Sequence, residues 1–155
     1  MRYFILLFSI TILSVALTAC IGQNPTTLET KSSFTDLPSE IQENEIEIRI
    51  SSDQAVYSLP IKKMHLVIEN TGSTAVGFGG AVYLEKLEEE IWYEIPYKNM
   101  TFTDGEAGVA PGESYLIEVP IDMIHYELQK GTYRILKEFY IDSRPKTFAA
   151  EFEIE

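Results

Sequence analysis

Few side chains in this sequence are of the types that most often do chemistry. There is one cysteine, Cys20, and there are two histidines, His65 and His125. Nucleophilic catalysis sets a serine or cysteine beside a general base. His65 falls in a run where it alternates with Met64 and Leu66, and His125 falls in a connection just before Tyr126. Both read as ordinary surface or hydrogen-bonded histidines. No HExxH pattern and no cysteine pair is present, so the two histidines define no metal site. The acidic run Glu88-Glu89-Glu90 has the character of a solvated hairpin tip, and Asp104 and Glu106 sit in a later loop. Calcium takes about six to eight oxygen ligands, and the DxDxDG-type loop that supplies them is missing. The stretch Gly77-Phe78-Gly79-Gly80 has no following Lys-Ser/Thr and opens no helix. It reads as a turn or bulge, not a phosphate cradle. The sequence therefore points to no catalytic residue, no metal ligand and no cofactor.

The lone thiol draws its meaning from its surroundings. Arg2 is followed by an uncharged apolar run from Tyr3 to Leu17. A positive start and an apolar run of this length describe a secretory leader, and the run is short for a membrane-spanning helix, which needs about 20 apolar residues. It ends in Leu17-Thr18-Ala19-Cys20, which resembles the lipobox of bacterial lipoproteins. The resemblance implies lipid on the Cys20 sulfur and cleavage between Ala19 and Cys20. The expectation is a leader over residues 1–19 and attachment to the extracytoplasmic face of the cell membrane through Cys20. Two or three acyl chains hold a protein stably at a bilayer, where one does not.

Residues 20–44 then read as the lipidated cysteine and a flexible tether. Gly22-Gln23-Asn24-Pro25-Thr26-Thr27 and Thr30-Lys31-Ser32-Ser33 are polar, turn-forming and without period. A spacer of this kind would hold the domain some tens of Å from the bilayer. Part of Leu37 to Asn44 could form a helical turn, since Ser39-Glu40-Ile41-Gln42 resembles a capping pattern.

From Glu45 the period changes to two. Ile46, Ile48 and Ile50 alternate with Glu45, Glu47 and Arg49; Met64, Leu66 and Ile68 alternate with His65, Val67 and Glu69. Further strands are expected over Ala81 to Leu87, Ile91 to Ile95, Tyr115 to Val119, Thr132 to Ile141 and Thr147 to Ile154, with a brief turn or helical segment near Ile121 to Gln129. Tyr115, Ile117 and Val119 are expected to face inward. About seven strands over residues 45–155 predict an all-β fold, an antiparallel immunoglobulin-like β-sandwich. Gly131-Thr132-Tyr133, entering the penultimate strand, suggests a tyrosine corner, with Gly131 making the turn and the Tyr133 hydroxyl bonding the backbone upstream. Trp92 fits either the core or a sheet face. Tyr93, Tyr97 and Phe102 could form an exposed aromatic patch, although packing is the commoner use of tyrosine here.

The pieces Ile68-Glu69-Asn70, Tyr83-Leu84-Glu85-Lys86-Leu87, Trp92-Tyr93-Glu94-Ile95-Pro96, Ala110-Pro111-Gly112-Glu113 and Gly131-Thr132-Tyr133-Arg134 occur in that order. In this they resemble the bacterial immunoglobulin-like domain family of Gram-positive lipoproteins. The resemblance implies a fold and a location, and carries no catalytic residue.

Charge narrows the partners. The formal net charge is −12, and loss of Arg2 with the leader leaves 11 basic against 24 acidic residues, a net of −13. Such a surface repels nucleic acid and anionic head groups. The expected function is a non-enzymatic binding or accessory module, held to the membrane by the lipid on Cys20 and contacting an envelope or surface protein. The alternatives are an envelope enzyme or enzyme inhibitor, and a calcium-responsive structural domain.

Overall fold

The computed structural model describes residues 24–102 and 105–155. Two sheets face each other. The first has four strands: β1 (Glu40–Glu43), β2 (Ile46–Ser52), β4 (His65–Asn70) and β9 (Ser114–Glu118), in the order β1-β2-β4-β9. The second is built from β3 (Val56–Tyr57), β11 (Arg144–Ile154), β10 (Gly131–Ile141), β5 (Val76–Phe78) and β8 (Ala107–Val109), in that order. β6 (Tyr83–Glu88) also pairs with β10, and β7 (Ile91–Glu94) pairs with β6. This is the expected all-β sandwich, with four short strands, β1, β3, β5 and β8, beyond the seven expected. The segment after β9 contains one turn of 3₁₀ helix, Ile121–Met123.

Alternation decides which side chains enter the core. Ile48 and Ile50 on β2 and Leu66 and Ile68 on β4 meet Ile135, Phe139, Phe148, Ala150 and Phe152 from β10 and β11, all buried. Aromatic pairs fill the space between: Phe139 meets Phe148 edge-on at 5.3 Å, and Tyr133 stacks on Phe152 at 5.7 Å. Val119 is buried and Ile117 half-buried, as expected. Tyr115, on the outermost strand, remains 41 % exposed while packing edge-on against Phe78 at 5.2 Å. The β10–β11 hairpin closes through Asp142 and Ser143, both at positive φ, and the β6–β7 hairpin through Glu89 and Glu90, likewise. Two left-handed residues match the right-handed twist of the flanking strands. Gly72 has a different reason to be glycine: a Cβ there would lie 2.5 Å from the Glu45 carbonyl oxygen and the Glu47 nitrogen. That close approach lets the turn after β4 bond to Glu47 O through Gly72 N–H, while buried Asn70 donates to Thr74 O and Val109 O.

The largest departure from expectation lies in residues 24–44. The described part of the expected tether is a strap over the outer face of the second sheet. Thr30 and Ser32 hydrogen-bond to Glu94 and Trp92 along the open side of β7, Pro38 O accepts from Ala149 N–H, and the chain then enters the first sheet as β1. The helical turn expected near Ser39 is this strand. Polar, aperiodic composition suggested a free linker because much of the strap's hold comes from its backbone N–H and carbonyl groups, which composition does not display.

Two of those carbonyls, of Phe34 and Thr35, bind Arg134. It stands mid-strand on the outward side of β10 and is nonetheless 1 % exposed. Its Nε and Nη2 both donate to Glu85 Oε2, at 2.7 and 2.6 Å. Nη1 donates to Thr35 O at 2.7 Å and Nη2 to Phe34 O at 3.1 Å, while the guanidinium lies 4.2 Å from the Trp92 ring centre. Trp92 is thus half-buried on the outer sheet face, under the strap. Removing one member of a buried ion pair leaves an uncompensated charge and costs about 3–5 kcal/mol. Arg134→Met should lower stability by that order and make residues 30–38 exchange amide hydrogens faster. Adding Glu85→Leu should recover much of the stability but not the protection, because Phe34 O and Thr35 O still lack their donor. A denaturation midpoint for Arg134→Met equal to wild type would remove Arg134 as the strap's anchor.

Candidate functional site

The strap forms one wall of a groove of about 1330 Å³ on the outer face of the second sheet. Leu136 and Tyr140 of β10 and Tyr83 of β6 line its sheet side, and Phe34 comes from the strap. Aromatic residues continue the lining. Tyr83 meets Phe102 edge-on at 5.5 Å, and Phe102 meets Tyr97 at 5.6 Å. Tyr83, Tyr140 and Phe34 are 54 %, 46 % and 39 % exposed. The Tyr97 hydroxyl is buried without a hydrogen-bond partner among the described residues, and burial pushes its ionisation well up.

Carboxylates ring this aromatic surface. Glu29, Glu94, Glu106 and Glu138 all line the groove and are all exposed. The fifth, Glu85, is committed to Arg134. Lys137 is the one lysine or arginine among the lining residues, and its charge is already engaged. It sits on the core-facing side of β10, opposite Phe148, where the neighbouring strand changes from β6 to β5. Its ammonium donates to Gly79 O and, at 2.8 Å, to Ala81 O. The glycine-rich stretch therefore bends out of the sheet and presents carbonyls to a buried cation. His125 lines the groove as well, its backbone N–H held by Pro96 O at 2.7 Å.

The other residues singled out from the sequence fall elsewhere. Cys20 and Ala19 lie outside the described residues, as does Asp104. The Tyr133 hydroxyl donates to Gln129 O at 2.7 Å and accepts from Gln129 N–H at 3.1 Å, a hydroxyl-to-backbone clasp four residues upstream. Gly131 has φ +143, and a Cβ there would meet the Lys86 side chain at 3.4 Å. His65 Nδ1 lies 3.0 Å from Asp53 Oδ2. Asp53 also accepts from the His65 backbone and the Tyr57 hydroxyl; burial raises its pKa, and these bonds outweigh burial and lower it. The neighbouring Ser52 hydroxyl bonds Tyr57, not His65, so this cluster joins β2, β3 and β4 without forming a nucleophile and base. Glu88 holds Lys86 at 2.9 Å, and Lys86 also donates to the Tyr126 hydroxyl at 3.1 Å. Among the described residues, no three His, Cys, Asp or Glu side chains come together to hold a metal ion.

The sheets, their order and the Tyr133 clasp define an immunoglobulin-like sandwich. The family model described as a bacterial Ig-like domain matches residues 44–153, and the chain belongs to that family. No curated protein matches the sequence. Among solved structures, a β-glucosidase from Erythrobacter marinus is similar at 13 % identity with a TM-score of 0.35; the match covers 71 % of this chain and 16 % of that one.

The buried cation gives the site a pH signature. Burial pulls Lys137 from 10.5 down to about 8, against the pull of Glu138. Between those values the unfolded chain holds a proton that the folded chain has released, so stability rises with pH. Tyr57 and Tyr133 act oppositely above pH 10. Burial pushes both up to about 12, so the unfolded chain ionises first and stability falls. The denaturation midpoint should climb from about pH 8 towards 10 and turn down beyond. Lys137→Met should lose the climb and keep the downturn. A climb of equal slope in the variant would mean that Lys137 titrates as an exposed lysine does.

Proposed function

We propose that this protein is a lipid-anchored, extracytoplasmic binding module, and that its ligand is an extended basic segment of an envelope or surface protein. The groove carries the reading. Its volume exceeds the range of about 300–1,000 Å³ usual for small-molecule sites, which suits a stretch of chain. Its exposed aromatic lining offers faces for cation–π contact, and its free carboxylates favour Lys and Arg side chains. Among the described residues, no group in it is hydrogen-bonded as a nucleophile to a base.

The anchor rests on the sequence from Arg2 to Cys20. If Cys20 carries the lipid, the strap has a consequence for geometry. Pro25 O accepts from Glu127 N–H at 2.9 Å, so the fold is already gripped five residues after Cys20. A chain spans at most about 3.6 Å per residue, which puts that grip within about 18 Å of the lipidated sulfur. The module would rest close to the bilayer instead of ranging tens of Å away.

Two measurements test the two halves separately. In a host that processes lipoproteins, the wild-type chain should sediment with membranes and lack its leader, whereas Cys20→Ser should leave the membrane fraction. A serine variant that still sediments with membranes would remove the lipid anchor. For the groove, pentalysine titrated calorimetrically into residues 24–155 should bind, and pentaglutamate should not. Replacing both Glu94 and Glu138 with Gln should weaken pentalysine by about five-fold or more, the order expected from two exposed ion pairs. Equal affinity in the variant, or no heat with pentalysine, would overturn the groove as a basic-peptide site.

A further inference from the structure

We infer that the free edge of β9 pairs with β9 of a second copy, joining two four-stranded sheets into one across a two-fold axis at Leu116. The observation is independent of the groove. An edge strand offers unpaired N–H and C=O groups to any strand that can align with it, and proteins ordinarily blunt such edges by shortness, charge or cover. The other edges here are blunted. β8 has three residues and β3 two. β7 is covered by the strap through Thr30 and Ser32, and β1 is four residues carrying Glu40 and Glu43. β9 is the exception among the described strands. It runs Ser-Tyr-Leu-Ile-Glu over Ser114–Glu118, with neither proline nor lysine, and its register with β4 is unbroken by a bulge. Leu116 is 62 % exposed and Tyr115 41 %.

The pairing with β4 determines which amides are free. Val119 N–H donates to Met64 O, and Asn70 N–H donates to Glu113 O. Pairing with β4 thus uses the backbone groups of Glu113, Tyr115, Ile117 and Val119, since alternate residues of an antiparallel strand turn their groups to opposite sides. Those of Ser114, Leu116 and Glu118 point outward. A second β9, antiparallel and centred on Leu116, sets Leu116 against Leu116 and Ser114 against Glu118. Every outward group then meets an outward group, which a register displaced by one residue would not allow. The side chains agree. Tyr115 falls opposite Ile117 of the other copy on the core side, and the two Leu116 side chains meet on the outer face, each flanked by Val67, its own partner on β4. Glu118 faces Ser114 and Glu113 faces Val119, so no like charges are opposed.

Residues 24–155 carry 11 basic against 24 acidic residues, a net of −13, which works against association, so the pair should form more readily in salt. Sedimentation of residues 24–155, which contain every described strand, should show monomer passing to dimer as concentration rises, and more so at about 1 M salt, where the Debye length is ~3 Å. Leu116→Pro removes one outward N–H and nothing the monomer uses, as edge prolines with their nitrogen towards solvent are tolerated. It should dimerise at least tenfold more weakly, with an unchanged denaturation midpoint. In the full chain, Leu116→Cys should form an intermolecular disulfide on mild oxidation, because a hydrogen-bonded antiparallel pair brings Cα atoms to about 5.5 Å, within disulfide range. Ser114→Cys should not. A wild-type protein monomeric at every concentration and salt, a proline variant that dimerises as well as wild type, or a dimer that Leu116→Cys fails to cross-link would each overturn the proposal. So would a monomer whose β9 edge takes up some other extended peptide.

Discussion

A guanidinium sealed against the outer face of a β-sheet is the constraint on which the rest of this structure depends. Taking a charge out of water costs several kcal/mol unless partners replace the water around it. Arg134 finds those partners from three directions: the Glu85 carboxylate on the adjacent strand, the Trp92 ring on the next, and the Phe34 and Thr35 carbonyls of the strap. None of these alone would suffice. The sheet supplies the counter-charge and the aromatic face, but it cannot shield the ion from above. The strap supplies the lid, and beyond Leu28 and the half-buried Leu37 it has little apolar surface with which to hold itself down. Each component is placed by the other, so the strap is part of the fold although its composition is that of a linker.

This explains which parts of the structure were legible in the sequence. Strands β2, β4 and β11 announced themselves by alternation, because a strand with one face in the core takes its period of two from the pleat. Their number and spacing pointed to a sandwich, while the order of strands within each sheet came only from the structure. The strap was not legible, since hydrogen bonds from a distant arginine to main-chain carbonyls leave no trace in the strap's own residues. A signal existed on the other partner. Charges at Glu85, Lys86, Arg134 and Lys137 fall inside otherwise apolar strands, and a charge in such a place must be paired, capped or exposed. All four prove to be buried. Trp92 was ambiguous for the same reason: its site is neither core nor open surface, but the space beneath a segment that seemed free.

Lys137 shows a second way in which sequence and structure part. Its parity along β10 points it into the core beside Ile135 and Phe139, where an aliphatic residue would be expected. The sheet is interrupted there, as β6 gives way to β5, and the chain between them turns the Gly79 and Ala81 carbonyls inward. The glycines had suggested only a bend. What the bend exposes is two acceptors that a hydrophobic side chain would leave unsatisfied, and the lysine answers them. The groove borders this break, so the feature that disrupts the sheet also opens space on its surface.

Burial of cations bears on recognition as well. Of the 11 basic residues that follow the expected leader, Lys86, Arg134 and Lys137 are enclosed at 6 %, 1 % and 1 % exposure. Their charges are engaged by carbonyls, by the Tyr126 hydroxyl, by buried Glu85 and by the partly exposed Glu88, and little of their field is available to a partner. Eight cations remain to offset the surface carboxylates, so the exterior is more one-sided than the formal charge implies. Around the groove the imbalance is sharpest: Glu29, Glu94, Glu106 and Glu138 face solvent, while Lys137 is turned towards carbonyls. A low-dielectric, aromatic-lined concavity rimmed by one sign of charge concentrates the field at its mouth. Structure-building cations and surface anions are thus two aspects of one arrangement. The positive side chains hold the strap and the broken sheet together, and their withdrawal into the fold leaves the surface to the acids.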